Sequence, residues 1–199
     1  MTPRLVVATA NRHKVVEIRS ILDAAGSRVE LVPRPDGVPE VVEDADTLEG
    51  NARLKALALT EASGLPALAD DTGLEIDALG GAPGVRSSRY AGPDGDAAAN
   101  VAKVLEAMAL ARRASRTARF RTVALVRWPD GHELSAVGTA EGTIPDAPSG
   151  TGGFGYDPIF CPAGGAGRTF AELSPAEKDA LSHRGRAIRA LTAMLDERI

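Results

Sequence analysis

The chain has 199 residues, with 23 Lys and Arg against 27 Asp and Glu for a formal net charge of −4, a length that fits one domain or two small lobes. At 44% hydrophobic and 25% charged residues, with Cys161 as its single cysteine, it is neither a disordered chain nor a disulfide scaffold, and a reducing compartment suits it. The acidic balance excludes a nucleic-acid binder held by a basic face, and no uninterrupted apolar run is long enough for a signal-peptide core or a membrane span. The expectations are therefore a cytoplasmic protein with neither nucleic acid nor membrane as partner.

Leu5 to Thr9 predicts a short buried strand, because it is β-branched and leads into a polar turn. From Lys14 the period turns helical, with Val15, Ile18, Leu22 and Ala25 at spacings of three and four and a stop at Gly26. Val29 to Val32 predicts a second strand, followed by a proline-rich connection from Pro33 to Pro39. Asp46 and Glu49 have capping-box spacing for a helix running to about Ala62 and ended by Gly64. Ala67-Leu68-Ala69 predicts a third short strand that ends in Asp70-Asp71-Thr72-Gly73, after which Leu74 and Ile76 alternate with Glu75 and Asp77. Asp96 caps a helix predicted to end near Arg113, and Phe120–Trp128 and Glu133–Ile144 flank the turn Pro129-Asp130-Gly131 as a hairpin. Ser174-Pro175-Ala176-Glu177 is the clearest helix start, and Gly185 is expected to separate that helix from a final one bearing Ile188, Leu191 and Leu195. Helices interleaved with strands, plus one hairpin, predict an α/β protein with a mixed sheet.

Five segments look chemical. Thr9-Ala10-Asn11-Arg12-His13-Lys14 lies between the first strand and first helix, where α/β sheets bind anions; it suits a phosphate chain, and it equally suits an ordinary turn capped by Asn11. It is not a P-loop, because the glycines and the GK[ST] ending are absent. Asp70 and Asp71, at a predicted strand end, favour a divalent cation or a general base over a plain Asp-rich turn. Gly80 to Tyr90 is a shaped loop whose arginines, Arg86 and Arg89, suit either phosphate contact or simple exposure. Glycines 150, 152 and 155 formally match G-x-G-x-x-G, but Asp157-Pro158 follows where that motif needs a helix, which removes a dinucleotide oxidoreductase. Glycines around Phe154 and Tyr156 suggest instead a loop brought close to a flat ligand on which Phe154 stacks. Lys178 with Ser182-His183-Arg184-Gly185 could meet a common ligand at a helix end or simply neutralise a helix dipole. The chain has only four lysines, Lys14, Lys55, Lys103 and Lys178, so the survivors are enriched for positions that need a compact ammonium.

Taken together and in order, Thr9 to Lys14, Asn51-Ala52 through Lys55-Ala56, Ala69 to Gly73, Leu79 to Gly92, Phe154 to Phe160 and Ser174 to Arg186 resemble the inosine triphosphate pyrophosphatase family over nearly the whole chain. The resemblance implies an elongated, two-lobed α/β fold with a central mixed β-sheet flanked by helices, a nucleotide cleft between the lobes, and a homodimer. It also implies Mg²⁺-dependent hydrolysis of ITP, dITP and XTP to the monophosphate and pyrophosphate. Carried over, Asp71 is the general base and a metal carboxylate with Asp70 beside it, and Glu43 is a second metal carboxylate. Thr9, Ala10, Asn11, Arg12, His13 and Lys14 hold the triphosphate, and Thr72 is a substrate contact. Phe154, Gly155, Tyr156, Asp157, Lys178, His183 and Arg184 meet base and phosphates. The chain departs from the family pattern at Ala10, usually glycine, and at Gly50, usually an acid. It departs again at Glu43-Asp44-Ala45, usually Glu-Thr-Gly. A nucleotide-binding module without turnover is the other class of reading, against which Asp71, Lys14 and Lys178 argue.

Overall fold

The computed structural model describes residues 3–92, 95–111 and 115–197. Strand β1 (Arg4–Val7) is buried from Leu5 onward and leads to α1 (Arg12–Ala24), which Asn11 caps by accepting from the His13 and Lys14 N–H groups. Two donors that the first helical turn leaves without carbonyl partners are thereby satisfied. Its buried stripe is Ile18, Ile21 and Leu22; Ala25, expected in that stripe, is exposed at the helix end. Strand β2 (Glu30–Val32) then pairs parallel with β1.

Helix α2 (Leu48–Ser63) starts one residue later than the Asp46–Glu49 spacing predicts. Thr47 is the cap, its hydroxyl accepting from the Gly50 N–H at 3.0 Å. With glycine at the third helical position no side chain can return the bond, so there is no capping box here. Strand β3 (Ala67–Ile76) is one continuous strand of ten residues, parallel to β1 at its start and antiparallel to β4 (Pro83–Gly84) further on. The sequence predicts a break at Asp70–Gly73, because aspartate and glycine are depleted in strands. The strand runs through because both carboxylates find buried cations.

Helix α3 (Ala97–Leu110) is capped by Asp96 as expected, while its predicted end at Arg113 and the loop residues Pro93 and Asp94 lie outside the described residues. Strands β5 (Thr117–Arg127) and β6 (Glu133–Thr143) flank the predicted turn, in which the Gly131 N–H donates to the Trp128 carbonyl at 2.9 Å. Strand β7 (Cys161–Pro162) pairs antiparallel with β6. Helix α4 (Pro175–Leu181) carries the complete box: Ser174 Oγ accepts from the Glu177 N–H, and the Glu177 carboxylate accepts from the Ser174 N–H. The break before α5 (His183–Asp196) is at Ser182, not at Gly185. Ser182 is extended (ψ 152°) and ends α4, whereas Gly185 lies within the first turn of α5.

The strand order is β2-β1-β3-β5-β6-β7 with β4 beside β3, a mixed sheet. The chain forms two compact units: a first that runs through Asp71 and takes in Thr122–Gly138 and the chain from Arg184, and a second of Thr72–Arg121 and Thr139–His183. Each has its own core. Leu5, Ile18, Leu68, Val126, Ile188 and Leu191 pack in the first, and Leu74, Val104, Met108, Phe120, Phe160 and Phe170 in the second. Burying each such side chain is worth about 1.5–3 kcal/mol. No helix among the described residues is long and apolar enough to cross a membrane.

Candidate active site

The first unit gathers an ion network around β3. Successive strand residues point to opposite faces, so the adjacent carboxylates meet different helices. Asp70 Oδ2 lies 3.1 Å from Lys14 Nζ of α1 and accepts from Arg184 Nη2 of α5 at 3.0 Å. Arg184 also donates to Glu17, and its side chain is 2% exposed. Asp71 instead faces α2, where Lys55 Nζ donates to its Oδ1 at 2.7 Å and Asn51 Nδ2 approaches its Oδ2 at 3.5 Å. Glu43 Oε1 lies 3.3 Å from the same Lys55 ammonium, and the Asn51 amide oxygen accepts from the Ala45 N–H at 3.0 Å. Asn51 therefore ties the 43–45 segment to the carboxylate.

The two carboxyls are driven in opposite directions. Burial alone would push Asp70 up, but Lys14, Arg184 and Lys55 together hold it well below the usual carboxylate range. For Asp71 burial wins: its carboxyl is pushed above the ordinary value despite Lys55, and the neighbouring Glu43 charge adds to the effect. Burial also pulls the Lys14 ammonium below its usual value in spite of Asp70. Lys55, desolvated too, is carried upward overall by Asp71, Asp70 and Glu43. Divergent pKa values on neighbouring carboxyls are how a protein separates a permanently charged group from one able to exchange a proton.

The turn before α1 is built from its own side chains. Thr9 Oγ1 accepts from the Asn11 N–H at 3.1 Å and Asn11 caps the helix, while Ala10, Arg12 and His13 are exposed. Ala10 is not in the left-handed backbone region, where Ala166 is the one non-glycine among the described residues. The departure from glycine at position 10 is thus free of backbone strain.

In the second unit, Asp157 Oδ2 accepts from Lys178 Nζ at 2.6 Å and from the Phe154 N–H at 2.7 Å, and both charged side chains are buried. Lys178 Nζ also stands 4.8 Å over the Phe154 ring. The glycines here serve the loop itself. A Cβ on Gly153 would lie 2.0 Å from Asp157 Oδ2, at a φ of +69°, and one on Gly150 would meet the Ala171 carbonyl carbon at 2.5 Å. Gly155, in contrast, has open space around it. Tyr156 is buried with its hydroxyl donating to the Ser87 carbonyl at 2.8 Å, and Thr72 is half-buried in β3. His183 is buried against Phe120, the ring centroids 4.5 Å apart.

In the first unit Lys14 and Arg184 thus gather on Asp70, and Glu43 and Asp71 on Lys55, while Phe154, Tyr156, Asp157, Lys178 and His183 belong to the second. Sequence reasoning assigned no role to Lys55, Asn51, Glu17 or Phe120. The scarcity of lysine is a usable signal for Lys55, because Lys14, Lys55 and Lys178 all sit on carboxylates while Lys103 covers the half-buried Tyr90 ring. No group of three or more His, Cys, Asp or Glu among the described residues is placed to hold a metal. Asp71 and Glu43 do converge on one cation, the Lys55 ammonium, and two carboxylates suit Mg²⁺, which otherwise keeps waters and phosphate oxygens.

Residues 5–194 match the model of the Ham1 family. The chain belongs to the Ham1 family. Its Ham1-family relatives include a dITP/XTP pyrophosphatase of Streptomyces coelicolor, 48% identical over 98% of both chains. A solved HAM1 protein from Coxiella burnetii superposes with a TM-score of 0.88 at 41% identity, covering 98% of this chain and 99% of that one. A nucleoside-triphosphatase, dITP/XTP pyrophosphatase, of Mycobacterium abscessus gives a TM-score of 0.73 at 44% identity, with coverages of 96% and 99%.

Two departures from the family pattern prove to be linked in this Ham1-family chain. A Cβ added at Gly50 would lie 2.6 Å from the Ala45 Cβ, so one methyl group fills a space that only one of the two positions can use. Gly50→Ala is therefore expected to destabilise, although Gly→Ala inside a helix ordinarily gains about 0.5–1 kcal/mol. In an Ala45→Gly background the same substitution should cost less, because the contact with the Ala45 Cβ is gone and the one with Thr47 Oγ1, at 3.1 Å, is left. Chemical denaturation of the four proteins checks the difference, and equal effects in both backgrounds would refute the link.

Proposed function

We propose that the protein hydrolyses noncanonical purine nucleoside triphosphates (ITP, dITP and XTP) to the monophosphate and pyrophosphate, with Mg²⁺ as cofactor. Asp71 carries the reading. It is a carboxylate buried inside a strand, raised above its ordinary pKa and set beside Lys55 and Glu43, in a chain nearly half identical to a protein named dITP/XTP pyrophosphatase. Asp71 and Glu43 would hold Mg²⁺, which when bound supplies positive charge on the phosphate oxygens and acidifies the attacking water.

Asp71 takes the proton of that water. The new bond joins the water oxygen to phosphorus, the α–β anhydride bond breaks, and the leaving pyrophosphate keeps the electron pair. The Lys14 and Lys55 ammonium groups offset the charge that develops on the phosphates, and the turn Thr9–His13 with Thr72 receives the triphosphate. On the side of the base, Phe154 supplies a flat face, Gly155, Tyr156 and Asp157 shape the loop, and Lys178 and His183 are donors. Arg184, neutralised by Asp70 and Glu17, acts by fixing Asp70 and thus Lys14. A donor aimed at O6 accepts inosine and xanthine and meets another donor in adenine, a mismatch worth orders of magnitude. The working form is a homodimer in the cytoplasm.

Product analysis tests the reaction. ITP is expected to yield IMP and pyrophosphate in equal amounts, and formation of IDP and orthophosphate would overturn the assignment.

A further inference from the structure

The four phenylalanines of the chain, Phe120, Phe154, Phe160 and Phe170, all lie in the second unit, three of them in ring contact with Lys178 or His183. Lys178 stands 4.8 Å over Phe154 and 5.9 Å over Phe170, and His183 stacks on Phe120 with centroids 4.5 Å apart and planes 16° from parallel. Phe170 is farther from the imidazole, at 6.1 Å and tilted by 47°. Phe160 meets Phe120 edge-on at 4.7 Å and 62°. Such contacts fall within the range in which aromatic rings attract. His183 is the first residue of α5, directly after the extended Ser182, and is 3% exposed.

An imidazole donates in its ring plane, and the last torsion of a histidine side chain is broad, so the side chain does not set that plane by itself. The ring lying flat against it restrains that plane. We propose that Phe120 is a positioning residue for purine selection: it fixes the plane of the His183 imidazole and so the direction from which that donor meets the base. The inference rests on the reading of His183 as a base contact given above. A donor free to turn could also face away from the adenine amino group, and the mismatch that rejects adenine would be relieved.

Phe120→Met keeps apolar volume but removes the flat face, and Phe160→Met does the same one ring further from His183. The chain has three histidines, so His13→Gln and His132→Gln assign the imidazole proton signals. In the wild-type protein the His183 Hε1 signal is expected upfield because of the Phe120 ring current, and it should shift when IMP is added. Phe120→Met should return that signal downfield and lower the ITP-to-ATP ratio of kcat/KM by about tenfold. Phe160→Met should leave both unchanged although it weakens the same core. A moved signal with an unchanged ratio, or equal losses in the two variants, would overturn the positioning role. So would a His183 signal in wild-type protein that IMP does not move, whether or not Phe120→Met folds. Equal turnover of ITP and ATP by the wild type would instead sink the substrate reading, while the upfield signal still reports the stack.

Discussion

Asp71→Asn is expected to slow pyrophosphate release from ITP by about 10²–10⁴-fold, the usual contribution of a general base. The protein should stay folded. Burial already pushes the Asp71 carboxyl toward its neutral form, so a neutral amide of the same shape sits in that environment without the desolvation penalty of a charge. Lys55 keeps Glu43 as a counter-charge at 3.3 Å, and Asn51 keeps its bond to Ala45. Far-UV circular dichroism and a thermal melt beside the kinetics separate lost chemistry from lost structure. Turnover near wild type in a folded Asp71→Asn protein would show that another group takes the proton.

Arg184→Met should show the converse, a large loss of stability. Its guanidinium is fully buried between Asp70 and Glu17, and removing it takes a buried positive charge from both carboxylates. Breaking a buried pair in this way costs about 3–5 kcal/mol, because the carboxylates stay in a low-dielectric interior with part of their compensation removed. For a chain of this size that corresponds to a fall in Tm on the order of 10 °C. Arg184→Lys should recover little, since an ammonium cannot span Asp70 and Glu17 as the planar fork does. A double-mutant cycle with Asp70→Asn checks the mechanism. Once the carboxylate is neutral the arginine has less to offset, so the two losses should fall short of additive by more than about 1 kcal/mol. Strict additivity would mean that Arg184 contributes by packing its stem.

The elements that sequence read well are those whose stabilising group is local. Ser174 and Glu177 satisfy each other's backbone within four residues, so α4 begins where the spacing says. Asn11 and Asp96 cap α1 and α3 in the same way. The misreadings share a different cause. Strand β3 continues through Asp70–Gly73 only because Lys14, Lys55 and Arg184 arrive from three helices, two of them more than a dozen residues away and one more than a hundred. The shift of the α2 cap from Asp46 to Thr47 goes with Gly50, whose place is limited by Ala45. Gly185 looked like a stop because glycine often ends helices, but the extended backbone of Ser182 does so three residues earlier.

The candidate site was legible as residue types and only partly as roles. Asp70 and Asp71 look equivalent in sequence, and their difference arises from which helix each faces. Asp157 reads in sequence as a ligand contact, and the structure adds a part that sequence does not show: its carboxylate accepts from Lys178 and the Phe154 amide. The glycines around Phe154 suggest backbone brought close to a flat ligand; beside Gly150 and Gly153 the space is taken by Ala171 and Asp157, whereas beside Gly155 it is open. Phe120 gave no signal because it belongs to an alternating strand, where a large apolar residue is expected in any case.

Initial rates of pyrophosphate release from ITP, XTP, GTP and ATP, each with Mg²⁺ and with excess EDTA, bear on the whole assignment at once. ITP and XTP should exceed ATP by about two orders of magnitude or more in kcat/KM. They should also exceed GTP, whose extra 2-amino group would be left without an acceptor, and EDTA should abolish every rate. Equal rates for ITP and ATP, or undiminished release in EDTA, would contradict a Mg²⁺-dependent pyrophosphatase of noncanonical purine nucleotides.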